Sequence, residues 1–320
     1  MKQLSDGLST LPVAVIGILL MLPYLLTTSL YAQTILHDQV INSDTEWHGE
    51  ILIQGIVVVS RKATLRIAPG TKISFSRIDR NGDDIGDGEI RVLGAILAEG
   101  RPDAKITFSS AAQDAHPKDW SYLLIFTSPA LNKLDWCEFR HGFSGLQIHF
   151  STATVSNCSF INNNEGLRFG RADLSVTKSS FTGNDIGIRF TRMEGPVKIV
   201  GNNIRDNRIG LFLVPSGQNI RDFFEPDRSG VPWNTGHLQI SGNNISNNIW
   251  YNLELGEKQL WDLDITGNYW GENNPSAIAA KIYDSRRDDT LGQALFEPIA
   301  TKPFESQPPA NATDPRSKTP

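Results

Sequence analysis

Four groups of residues in this 320-residue chain have types and spacing that suit chemistry. The densest is acidic, running from Asp79 through Arg80, Asn81, Gly82, Asp83, Asp84, Ile85, Gly86, Asp87 and Gly88 to Glu89. Oxygen donors at alternating positions of a Gly-rich loop suit a hard cation such as Ca²⁺, so Asp79, Asn81, Asp83 and Asp87 are its candidate ligands, with the Ile85 carbonyl between them. The match to a calcium loop breaks where Asp84 replaces the expected Gly and where Glu89 falls one residue early, leaving Ile90 at the closing position. The competing reading is an acidic, solvated turn, although carboxylates this close repel unless a cation sits among them.

Arg168 and Arg189 form the second group. They share an outward column with Gln147 and Phe212, and stacked guanidinium forks suit an anionic sugar. The alternative is a solvated face with Glu165, Asp173 or Asp185 as counter-ions. The third group is aromatic: Phe223, Phe224 and Trp233 lie in a stretch, Pro215 to Gly236, where no repeat pattern holds. Beside Phe212 such a loop offers ring faces to sugars or partner side chains, or else covers a weak seam. The fourth group is sulfur and imidazole. Cys137 and Cys158 occupy one column in adjacent repeats, which reads as two stacked, buried thiols; a bridge between in-register side chains would need an unfavourable dihedral. His37, His48, His116, His141, His149 and His237 show no ligand spacing.

The positions of these groups follow from an internal repeat. Phe139, Phe160 and Phe181 align with Ile204, Ile245 and Trp270. Leu134, Val155, Val176, Ile199, Ile240 and Ile265 stand five positions earlier; Cys137, Cys158, Ser179, Asn202, Asn243 and Asn268 stand two earlier. Three positions later come Gly142, Asn163, Asn184, Asn207, Asn248 and Asn273, and then the column Gly145, Gly166, Gly187 and Gly210. Apolar residues two apart, such as Leu167 and Phe169, share a strand face. Asn bonds its equivalent one rung away, and Gly is expected at bends of positive φ. Nothing follows a 3.6-residue period. The pattern predicts an all-β, single-stranded right-handed parallel β-helix of about a dozen rungs.

The ends read differently. Lys2, the apolar run Leu11 to Leu26 and the exit through Tyr31-Ala32 predict a signal peptide over 1–32, too short and Pro-interrupted for a membrane span. The coil is expected over 33–302, and the five prolines of 303–320 predict a disordered tail. The expected location is therefore outside the cytoplasm: periplasmic, outer-surface or extracellular. The formal net charge of −5 argues against nucleic acid as a partner.

Several motifs carry a resemblance. The Trp47–Phe75 run with Ala68-Pro69-Gly70-Thr71, the Asp119-Trp120 corner, the Ser156–Phe160 rung and the closing Gly267-Asn268-Tyr269-Trp270-Gly271 resemble exported bacterial right-handed β-helix repeat proteins. These belong to the pectin-lyase-like superfamily, with NosD-type periplasmic relatives. That family hosts both enzymes and non-enzymatic modules. The copper that NosD-type relatives suggest finds no ligand spacing here, and the Asn-Thr-Asp and paired-Asp hydrolase signatures are absent. The expected function is a non-catalytic protein binding a glycan or envelope partner through its coil wall and aromatic loop. The alternatives are a divergent polysaccharide lyase or hydrolase and a structural module of the envelope.

Overall fold

The computed structural model describes residues 33–192, 195–214, 238–257 and 259–305. The expected signal peptide, the aromatic loop and most of the expected tail lie outside the described residues.

Short strands joined by sharp bends wind into a coil, and each strand pairs in parallel with its equivalent one turn away. Among the described residues three parallel sheets result, with nine, ten and eight strands. The first runs from Thr34–Leu36 to Asn244–Ser246, the second from Gln39–Ile41 to Ile282–Tyr283, and the third from Thr45–Trp47 to Leu238–Ser241. Ten strands in the longest sheet give a coil ~43 Å long at the strand spacing, shorter than the dozen rungs expected. The shortfall arises because stretches of the N-terminal half, such as 76–88 and 111–119, are inserts between strands rather than rungs. The coil ends in a helix, Pro275–Ala280, capped by Asn274, and in the strand pair Leu263–Asp264 with Ala294–Leu295.

Apolar side chains fill the interior in columns. Phe108, Phe139, Phe160 and Phe181 stack with ring centroids 4.7, 4.9 and 4.6 Å apart, which matches strand spacing. Two asparagine ladders line the bends. In one, Asn163, Asn184 and Asn207 each donate from Nδ2 to the Oδ1 of the next rung's asparagine, at 3.0, 2.9 and 3.0 Å, ending on Asn248. Asn248 then donates to Asn252 at 2.9 Å, while Asn273, the residue the column predicts, is exposed. The other ladder runs Asn202, Asn243, Asn268. Each ladder satisfies buried backbone groups that the bends remove from the sheets.

The glycine column serves a different purpose from the one expected. Gly145, Gly166, Gly187 and Gly210 lie outside the left-handed region; a Cβ on Gly166 would stand 2.6 Å from the Gly187 carbonyl oxygen. Glycine is needed there because the rungs approach closely. Positive φ falls at other bends: on glycines such as Gly183, Gly201, Gly242 and Gly267, on Asn157, Asn162, Asp206 and Asn247, whose short polar side chains tolerate it, and also on Trp136, His141 and Lys178. At the C-terminal end Phe304 pairs its backbone N–H and carbonyl with the Asn244 side chain at 2.8 and 3.0 Å.

Candidate functional site

The outer wall of the second sheet carries the partly buried polar groups Arg91, Tyr122, Arg168, Arg189 and Glu254. On strands such as Glu165–Gly170 and Ile186–Arg192, inward Leu167 and Ile188 alternate with outward Arg168 and Arg189. Parallel pairing then sets the outward residues in rows. One row reads Arg91, Leu124, Gln147, Arg168, Arg189, Phe212, Glu254 and Tyr283. A second row reads Glu89, Tyr122, Ser144, Glu165, Ile186, Ile209 and Tyr251. The glycine column lies just after this second row.

At the centre is Glu165, 1% exposed although it stands on an outer wall. It accepts hydrogen bonds from Ser144 Oγ and from Arg189, both at 2.6 Å, and Arg168 lies 3.8 Å away. A carboxylate taken out of water needs such partners. The Arg189 guanidinium also lies over the Phe212 ring, 5.6 Å from its centroid. Its Nε is buried and donates to nothing among the described residues. Of the three counter-ions the sequence allowed, Glu165 serves both arginines. Asp185 is held instead by Arg208, whose Nη2 stands 2.7 Å from it, and this pairing raises the pKa of Arg208.

Two further groups share the wall. Glu89 is buried and paired in a fork with Arg91, at 2.8 and 3.2 Å. Burial pushes its carboxyl up, against the opposing pull of Arg91. Burial likewise raises Tyr122, with the Glu89 charge adding to it. His149 is buried; burial first, and the Arg168 charge second, lower its pKa to about 3, so its ring is neutral at physiological pH. Of these residues, sequence reasoning singled out Arg168, Arg189 and Phe212. It read Glu89 only as the end of the acidic loop and missed Tyr122 and Ser144, although Ser144 and Glu165 each directly precede a repeating glycine.

The acidic loop lies between the strands Lys72–Phe75 and Glu89–Val92. Its oxygens are taken up by its own backbone. Asp79 accepts from the N–H groups of Gly82 and Asp84 at 2.7 and 3.0 Å, which lowers its pKa. Asn81 accepts from Asp83, Asp83 from Ile85, and Asp87 from Arg80. Among the described residues no group of three or more His, Cys, Asp or Glu side chains could hold a metal ion. The loop is three to four strand steps from Glu165 and Arg189, ~14–19 Å, too far to share one centre. Cys137 and Cys158 are free and buried, and burial raises the Cys137 thiol. Phe223, Phe224 and Trp233 lie outside the described residues.

Three parallel sheets around a stacked core define a right-handed parallel β-helix. Residues 121–245, which include the Arg168–Arg189–Phe212 wall, match the family model described as the right handed beta helix region. No curated protein and no solved structure matches the chain. Among the described residues no helix is long and apolar enough to cross a membrane.

Proposed function

We propose that the chain is an exported, non-catalytic β-helix protein whose second-sheet wall binds an extended acidic glycan of an envelope or its surroundings. The observation that carries this reading is the in-register placement of Arg168, Arg189 and Phe212 on neighbouring strands. A planar guanidinium beside an aromatic ring presents both a carboxylate fork and a stacking face. Arg189 also has a buried Nε with no partner of its own.

The carboxylates of the wall speak for binding over hydrolysis. Glycosidases separate their two acids by about 5–10 Å and keep one of them protonated. Glu165 and Asp185 lie on neighbouring rungs, but each is occupied by an arginine. Glu89 and Glu254 are the wall's acids with raised pKa values, and each stands three strand steps from Glu165, ~14 Å away. The test is a panel of acidic and neutral polysaccharides incubated with the chain, read for both binding and depolymerisation. Binding to acidic polymers without chain shortening, weakened about tenfold or more by Arg189→Gln, is expected. Chain shortening, or binding unchanged in that variant, would overturn the proposal.

A further inference from the structure

Below Phe212 the same wall changes character. Trp250, Tyr251 and Tyr283 lie on or beside the last two strands of the second sheet, Tyr251–Leu255 and Ile282–Tyr283. Trp250 is 56% exposed, the most exposed tryptophan among the described residues. It is nonetheless held in place. The Arg208 guanidinium lies over its ring, 4.1 Å from the centroid, and that guanidinium is itself locked to Asp185. The Trp250 backbone N–H donates to the Arg208 carbonyl at 2.8 Å. Lys281 Nζ donates to the Asn248 and Ile249 carbonyls at 3.2 and 2.9 Å, fixing the turn that carries the indole. Tyr251 meets Tyr283 edge to face at 5.5 Å and lies under the Arg287 guanidinium.

A large apolar ring left in solvent yet braced by a carboxylate–guanidinium stack is poorly explained by folding alone, because burying it would stabilise the coil more. Rigid aromatic faces with polar neighbours bind with little ordering cost. The charges around the shelf are already engaged: Arg208 with Asp185, Arg287 with the Ala280 carbonyl, and Lys281 with its turn. An anion would face Glu254 and Asp185. A cation would meet an indole whose π-system already holds a guanidinium. What remains favourable is an uncharged ring with C–H bonds for stacking and hydroxyls for the rim.

We propose that the Trp250–Tyr251–Tyr283 shelf, braced by Arg208, binds an uncharged pyranose ring of a glycan chain. This rests on the reading of the wall as a glycan surface and adds a second site with a different sugar class. Partial burial raises the pKa of Glu254 against the opposing pull of Arg208, and its carboxyl, in the row between Phe212 and Tyr283, offers a hydrogen-bonding group at the rim.

The test titrates the full chain by calorimetry with cellohexaose, chitohexaose and, separately, hexagalacturonate. At least one neutral hexamer should bind, and Trp250→Ala should weaken it about three- to tenfold, the span expected of one aromatic stack. Arg208→Gln keeps the indole and removes its brace, and should weaken the same ligand. Both sites are at the surface, so circular dichroism and the thermal midpoint should match the parent chain. Failure of both neutral hexamers to bind, or equal binding by Trp250→Ala, overturns the shelf. If hexagalacturonate still binds and Arg189→Gln weakens it, the wall reading stands without the shelf; if no hexamer binds, both fall. Self-association in sedimentation that disappears in Trp250→Ala also overturns the proposal, because the shelf is then a contact between copies of the chain.

Discussion

Replacing Asn184 by alanine should be among the most damaging single changes in the coil. Its side chain is buried and makes four hydrogen bonds. Oδ1 accepts from the Asn163 backbone N–H and Nδ2 at 2.9 and 3.0 Å; Nδ2 donates to the Phe160 carbonyl and to Asn207 Oδ1 at 3.0 and 2.9 Å. Alanine leaves the Asn163 backbone N–H without that acceptor inside the bend and removes a donor from the Phe160 carbonyl. Each buried group left unsatisfied costs about 1–3 kcal/mol, so a loss of about 3–4 kcal/mol follows. At about 2–3 °C per kcal/mol for a domain of this size, the thermal midpoint should fall by roughly 6–12 °C. Rungs are coupled to their neighbours, so the loss should appear in the whole transition rather than as local fraying. Asn184→Asp sharpens the test: it keeps the shape but sets an acceptor opposite the Phe160 carbonyl and Asn207 Oδ1, and should cost more. Asn273→Ala is the control, since this residue belongs to the same sequence column but is exposed; it should change stability by less than about 0.5 kcal/mol. Differential scanning calorimetry decides the matter. An Asn184→Ala midpoint within about 2 °C of the parent, or equal losses for Asn184 and Asn273, would refute the ladder as a source of stability.

Gly166→Ala should destabilise by about 3 kcal/mol, because the new Cβ would stand 2.6 Å from the Gly187 carbonyl oxygen and 3.0 Å from Phe181 Cδ1. Gly201→Ala, where φ is +71° but nothing lies within 4 Å, should cost only the backbone term of about 1–2 kcal/mol; a larger loss at Gly201 in urea titrations would show that conformation outweighs space. His149 sets a pH dependence: its folded pKa of about 3 lies below the ordinary 6.5, so the unfolded chain binds the proton first. That contribution is fully present above pH 6.5 and lost as pH falls, amounting to about 2 kcal/mol by pH 5. His149→Gln should flatten the stability profile between pH 4 and 6.5, and an unchanged slope would show that His149 is not its source.

The columns of Phe, Val and Asn were enough to derive the coil, its core and the stacking of Cys137 beneath Cys158. The physical reason is that parallel in-register pairing sets like residues over like, so a linear period becomes a spatial ladder. The rung count was less legible, since an insert such as 76–88 takes up residues without adding a rung. The glycine column was visible, but its cause was not: closeness between rungs is a property of the assembled coil, whereas positive φ falls on other glycines, such as Gly183 and Gly201, and on residues such as Asn157 and Asn162. At the wall, Arg168, Arg189 and Phe212 could be placed on one face by counting. That Glu165 and not Asp185 answers both arginines, that Arg208 takes Asp185, and that this pair steadies Trp250 could not. Those contacts depend on how far each side chain reaches across a rung and on which acid is already taken. The sequence determined which residues share a column; only the closed coil decided which charges meet between columns.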